Sequence, residues 1–242
     1  TMLSVFLIWS HSVYNNFATQ SRLRQQIKKQ FEHYLDPGMV KKLQKDPSLL
    51  KLGGEKRDMT FLFCDIRGFT PISEKYKGDP EGLTKLINRF LTRMTNVIIA
   101  NGGTIDKFMG DCIMAFWNAP IEDLKHQQHA VQAAIQMQEE LLKLNVQLAA
   151  EGLPTIAIGI GINTGEALVG NMGSDQRFDY SVIGDAVNLA ARLESSSKTL
   201  GKTLVIGQDT FKSAKLDFDF EYIDQITVKG KTEEIKVYTV KH

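Results

Sequence analysis

The spacing of apolar and polar positions changes period repeatedly along this chain, and each change marks an element. Residues 59–65, MTFLFCD, form an apolar run closed by a carboxylate, the pattern of a buried strand. Residues 80–101 carry Leu83, Leu86, Ile87, Phe90, Leu91, Met94, Val97 and Ile98 on one broad face, which predicts an amphipathic helix. Residues 103–108 and 112–117 flank Met109-Gly110-Asp111 and read as a hairpin. A long helix is expected over 123–150. TIAIGIGINTG and EALVGNM, bent at Thr164-Gly165, predict a second hairpin. A strand near 178–183, a helix from about 185 to 199 and a closing strand, EIKVYTV, complete the pattern. This order predicts an α+β fold with a mostly antiparallel central sheet flanked by helices, on a split βαβ (βαββαβ, ferredoxin-like) core, preceded by an N-terminal helix.

The N-terminus departs from that alternation. TMLSVFLIW is almost wholly apolar, after which the run fades through SHSVYNNF. A membrane helix needs about 20 apolar residues, more than this stretch supplies. Two readings fit: the end of a transmembrane helix over residues 1–17, or an interfacial or packing helix. Arg22, Arg24, Lys28 and Lys29 follow, and basic residues just past a span mark its cytoplasmic side. They favour the first reading: a cytoplasmic domain tethered to the inner membrane. Residues 18–54 then read as a signalling helix and connector. Leu23, Ile27 and Phe31 form an i, i+4 stripe, and two Asp-Pro steps with Gly53-Gly54 break regular structure before a domain at 55–242.

Composition narrows the function classes. The chain is 43% hydrophobic and 24% charged, with a formal net charge of +1, so no global field points to nucleic acid. Its two cysteines, Cys64 and Cys112, make no disulfide framework and read as small core residues.

Three clusters carry candidate chemistry. Asp65 ends the first strand and Asp111 sits in the following hairpin's turn. If those strands are neighbours, both carboxylates reach one sheet edge, and with the carbonyl of Ile66 they suit a hard divalent cation. Each aspartate alone also fits a backbone cap. In DIRGFT, Gly68 lets the chain pass close to a ligand. Phe69 anchors the turn, and backbone N–H groups as far as Thr70 can hold phosphate oxygens; a plain tight turn fits too. Arg67 reads as surface or interface. Asn188 and Arg192, at i and i+4 after Gly184-Asp185, share one helix face and make either a polar clamp or a solvated face.

Together, FLFCDIRGFT, IDKFMGD and IGDAVNLAARLE resemble the catalytic domain of class III nucleotidyl cyclases, the adenylyl and guanylyl cyclase family, over about residues 55–240. FEHYLDPGMVKKL is similar to linkers of bacterial membrane-tethered members. The resemblance implies conversion of ATP to 3′,5′-cyclic AMP and pyrophosphate with two Mg²⁺ or Mn²⁺ ions per site, held by Asp65, Asp111 and Ile66. It implies that Lys107 and Ser181 read the purine, Asn188 orients the ribose and Arg192 stabilises the transition state. Lys229, in VKGK, contacts the terminal phosphates, and Arg177 assists there. It further implies a homodimer with shared sites, governed by an upstream membrane or sensor region. Lys107 with Ser181 favours adenine, although Ser181 replaces a more frequent Asp or Thr. A guanylyl cyclase and a silent nucleotide-binding module are the alternatives. A diguanylate cyclase is disfavoured, because its GG[DE]EF stretch is missing.

Overall fold

The computed structural model describes residues 2–31, 52–227 and 234–241. The chain divides into two units, with the boundary between Leu50 and Lys51. The first includes, among the described residues, the helix α1 (Met2–Phe31), which joins the N-terminal apolar run and the polar stretch after it. Among the described residues no helix is long and apolar enough to cross a membrane, which corrects the expected membrane anchor and its localisation. The physical reason is composition. His11, Asn15 and Asn16 interrupt the apolar run soon after Trp9, and Asn15 Nδ2 lies 3.0 Å from His11 Nε2 one turn away. The expected connector falls largely on residues 32–51, outside the described ones.

In the second unit, β1 (Gly53–Ile66) leads through α2 (Phe69–Lys75) to α3 (Pro80–Ala100). The hairpin of β2 (Thr104–Met109) and β3 (Cys112–Trp117) precedes α4 (His126–Ala150). Then come β4 (Ile158–Ser174), β5 (Arg177–Ile183), α5 (Asp185–Thr199), β6 (Leu204–Gly207), α6 (Gln208–Ala214), β7 (Phe220–Thr227) and β8 (Glu234–Val240). The sheet order is β2-β3-β1-β4-β6-β8-β7, with β5 also paired to β4. All these pairings are antiparallel except β4 with β6. The expected α+β class and mostly antiparallel sheet are therefore present.

The second hairpin lies elsewhere than expected. β4 is a single 17-residue strand that passes straight through Thr164-Gly165 and pairs with β1 from Gly53↔Asn171 to Ile66↔Ile158. Its hairpin partner is β5. Gly165 serves packing rather than turning, since a Cβ there would sit 2.9 Å from that of Ala186 on α5.

Strand alternation splits β1 between two cores. Leu62, Cys64 and Ile66 face α3 and α4, whose buried stripes include Leu86, Phe90 and Met94, and Met137, Leu144 and Leu148. Met59, Phe61 and Phe63 face the side of α5 and β5. α3 starts where it does because the Asp79 side chain accepts the Gly82 N–H at 2.9 Å, with Pro80 in the first turn.

A buried polar thread crosses these layers. Thr210, Thr164 and Thr60 are linked oxygen to oxygen at 2.8 Å each, and Thr60 continues at 2.8 Å to His126 Nδ1. Burial holds His126 below its ordinary 6.5, against the opposing pull of Asp58 and Asp123. A base depressed on folding binds protons more readily when unfolded. Its contribution to stability is thus full above 6.5 and lost as the pH falls below it. Thr164→Val leaves its neighbours with unmet hydrogen-bonding capacity. It is expected to cost about 1–3 kcal/mol, read as a lower denaturation midpoint at unchanged slope.

Candidate active site

The apolar run of β1 delivers Asp65, half-buried, to the end of the strand opposite Gly159. The β2–β3 turn delivers Asp111 to the same place, near enough to Asp65 for the two carboxyls to interact directly. Burial, and after it the contact with Asp65, push Asp111 up to about 6, although the N–H groups of Ile66 and Asp111 itself pull the other way. Asp111 Oδ2 is buried without a hydrogen-bond partner. Two converging carboxylates, one with an orphaned oxygen, are a fitting donor set for a hard divalent cation, which takes one or two protein carboxylates and fills its shell elsewhere. Among the described residues no group of three or more His, Cys, Asp or Glu side chains is arranged as a metal cage. The flanking cysteines are free thiols. Burial first, then the neighbouring Asp65 charge, push Cys112 up to about 12. Cys64, fully buried, is raised well above its ordinary value. Neither has thiolate character, in keeping with roles as small packing residues.

After Asp65 the chain turns through Gly68, at φ 67° and ψ 35°, a conformation that L side chains adopt only with strain. Phe69 packs against the core and Thr70 is exposed. Arg67, half-buried, is a clamp within the chain rather than a solvated charge. Its N–H donates to the Ala157 carbonyl at 2.7 Å, and its Nη2 donates to the Lys202 carbonyl at 2.6 Å and to Ser197 Oγ at 3.1 Å. It thereby ties the turn after the first motif to the end of α5.

α5 presses closely on β4. A Cβ on Gly161 would stand 2.2 Å from the Glu194 nitrogen and 2.3 Å from the Ala190 carbonyl oxygen, so only glycine admits this approach. Asn188 on α5 is exposed. Arg192, one turn further on, is half-buried with Nη1 lacking a hydrogen-bond partner. Glu194, about 200° round the helix from Arg192, is the α5 residue that nears the aspartates. Burial, then Asp65, push it up to about 7. The single chain therefore brings Asp65 and Asp111 together, and sets Asn188 beside Arg192 separately.

Lys107 and Ser181 also converge, through a residue that the strand pattern concealed. Ser181 Oγ donates to Asp106 Oδ2 at 2.8 Å, and Lys107 Nζ stands 3.4 Å from Asp106 Oδ1. Asp106 occupies the register shift of β2, between Ile105 paired with Ala115 and Lys107 paired with Met114. A buried charge inside a short strand was the available signal, but its partner is 75 residues away. Arg177 opens β5 at an exposed turn, where its N–H donates to Ser174 Oγ at 3.2 Å. Lys229 lies outside the described residues.

The model of the adenylate and guanylate cyclase catalytic domain family matches residues 54–242. The chain belongs to this family. The cyclase domain is 41% identical over 192 residues to an adenylate cyclase of Anabaena cylindrica; the alignment covers 76% of the chain but only 37% of that relative. Its fold matches the crystal structure of the adenylyl cyclase CyaB from P. aeruginosa with a TM-score of 0.74 at 38% identity, covering 79% of this chain and 97% of that one. The guanylyl cyclase Cya2 gives a TM-score of 0.71 at 36% identity, covering 78% and 94%. Relatives of both nucleotide types thus share this architecture, and the base preference of the cyclase domain has to be argued from its own side chains.

Proposed function

We propose that this domain is an adenylyl cyclase, forming 3′,5′-cyclic AMP and pyrophosphate from ATP at sites shared by two copies of the chain. The observation that carries the reading is the Asp65–Asp111 pair, two carboxylates held in contact at the end of β1. Domains of this family work as dimers on nucleotide substrates and use divalent metals. Two ions, Mg²⁺ or Mn²⁺, supply Lewis acidity at the ribose 3′-oxygen and at the leaving phosphates when bound. Asp65, Asp111 and the Ile66 carbonyl hold them. The Gly68–Phe69–Thr70 turn keeps the backbone close to the phosphates. Asn188 of the other copy orients the ribose, and Arg192 beside it neutralises charge that develops on the phosphate. Lys229 and Arg177 bind the outer phosphates. No protein nucleophile is needed, because the substrate's own hydroxyl attacks, so the residues act by positioning and by charge.

Base choice follows from donor pattern. Lys107 can only donate, which suits the bare N1 of adenine and opposes the N1–H of guanine. A shared site also accounts for the open face of α5. A wide cleft of about 810 Å³ does exist in the single chain, lined by Tyr76, Leu86, Arg89, Glu151 and Leu153, but it contains none of the proposed site residues. The chain incubated with ATP and Mn²⁺ is expected to release cyclic AMP and pyrophosphate in equal amounts, with GTP turned over more slowly. Faster cyclisation of GTP, or none of either nucleotide by a confirmed dimer, overturns the proposal.

A further inference from the structure

A hydroxyl is an ambiguous reader of a purine. Facing position 6, Ser181 can accept from the amino group of adenine or donate to the carbonyl oxygen of guanine. A serine therefore confers no preference unless something fixes the direction of its proton. In this fold Asp106 stands where it can do so.

The Asp106 side chain is fully buried, at 0% exposure, and three donors converge on it. Ser181 Oγ lies 2.8 Å from Oδ2, the Val182 N–H lies near enough to the carboxyl to favour its charge, and the Lys107 ammonium stands 3.4 Å from Oδ1. That last distance is an ion-pair contact, loose for a hydrogen bond, and Oδ1 has no hydrogen-bond partner. Burial raises the Asp106 pKa, while Ser181, Lys107 and the Val182 N–H all favour the charged form. A carboxylate can only accept, so the Ser181 proton must point at it.

The backbone is built around this contact. Asp106 is the extra residue where the β2–β3 register shifts, and such bulges re-aim side chains. β5, paired to the far half of β4, carries Ser181 and Val182 over the core of Phe61, Phe63 and Phe116 to meet it. Among the described residues β2 and β5 are not paired as strands, so this contact is made by side chains.

We infer that Asp106 is a positioning residue for base choice: by engaging the Ser181 proton it leaves that oxygen an acceptor only, and it tethers the Lys107 ammonium beside it, so the pair selects adenine over guanine. The inference rests on the proposed reading that Lys107 and Ser181 face the purine. It goes beyond that reading by placing the source of selectivity in a third residue that does not touch the base.

The test is the ratio of kcat/KM for ATP to that for GTP, with Mn²⁺, in a double-mutant cycle. A ratio from one preparation is insensitive to the folded fraction. Asp106→Ala is expected to lower it about 10–100-fold, the scale on which a site built for one hydrogen-bond pattern rejects another. Ser181→Ala lowers it too, and adding Asp106→Ala to Ser181→Ala lowers it further by less than Asp106→Ala does alone, because the part that acts through the serine is already lost and only the Lys107 tether remains. Asp106→Asn keeps the shape, donates to Ser181 Oγ from its amide and frees the hydroxyl proton, giving a smaller fall. Where turnover is too slow to read, the Tm shifts produced by ATP and by GTP supply the comparison. An unchanged ratio in Asp106→Ala and Asp106→Asn, with a changed one in Ser181→Ala, overturns the inference and leaves the base reading standing. An undiminished effect of Asp106→Ala in the Ser181→Ala background also overturns it. Unchanged ratios in both Lys107→Ala and Ser181→Ala overturn the base reading, and the inference with it.

Discussion

Asp65→Asn is expected to abolish cyclisation and yet to stabilise the metal-free protein. Loss of a cation ligand removes several kcal/mol of transition-state stabilisation, a fall in rate of at least about 10²-fold. The gain in stability comes from the repulsion within the pair. Asp111 is held up at about 6 by burial and by Asp65, so the folded state binds a proton there more tightly than the unfolded chain, whose ordinary value is 3.8. A carboxyl raised on folding works against stability as the pH climbs from 3.8 to 6, and the deficit is complete above that. Replacing Asp65 by an amide removes its push on Asp111, leaving burial, and also removes one source of the raised Glu194. Solvent screens the half-buried pair, so the gain is about 1 kcal/mol, or about 2–4 °C in Tm at pH 8. It should vanish at pH 4, where a proton already neutralises Asp111. Mn²⁺ is expected to raise the Tm of the wild type and leave that of the variant almost unmoved. A variant that melts below the wild type at pH 8 in chelator contradicts the repulsion argument.

Much of this site could be read along the chain, and the exceptions have a common cause. A run such as MTFLFCD announces a buried strand because its neighbours in sequence are also its environment. The α3 face and the β2–β3 hairpin were equally legible, being local patterns. The bend expected at Thr164-Gly165 was wrong because glycine has two uses, and the sequence does not say which applies. Here β1 pairs straight across the position, and the small residue makes room for Ala186. Neither the clamp at Arg67, expected at the surface or an interface, nor the role of Asp106 is legible along the chain, because their partners lie far off in sequence: Ser197 and Lys202 for the first, Ser181 for the second. In both cases the missing information was which distant segment returns to that point. A strand period of two specifies the side of a sheet on which a residue lies, but not what crosses above it. The N-terminal run failed for a related reason. A short, mostly apolar stretch begins a helix, but the character of the thirty-residue helix that forms is decided by the polar positions after it.

Mixing Asp65→Ala with Asn188→Ala is expected to restore about a quarter of the wild-type rate, although each variant alone is inactive. Asn188 on α5 is exposed, and Arg192 Nη1 is buried without a hydrogen-bond partner, while Glu194 on the far side of the helix approaches the aspartates of the same chain. One chain thus supplies the carboxylate pair and the Asn–Arg pair facing separate ways, and two-fold pairing with a second copy brings unlike halves together twice. In a mixed dimer one site combines both lesions and the other combines neither. Random exchange makes about half the dimers mixed, each with one whole site of two, and hence about a quarter of the activity. The control is Asp65→Ala mixed with Asp111→Ala. Those lesions fall in the same half, so every site in the mixture carries one and no activity returns. Recovery in that control would place the two aspartates in different sites, against their direct contact within one chain. Absence of recovery in the first mixture, with mixed dimers demonstrated, would instead require each chain to complete its own site. α5 would then have to turn Asn188 and Arg192 to where Glu194 now lies, and the Gly161 contact with the backbone of Ala190 and Glu194 leaves the helix no room to roll in that way.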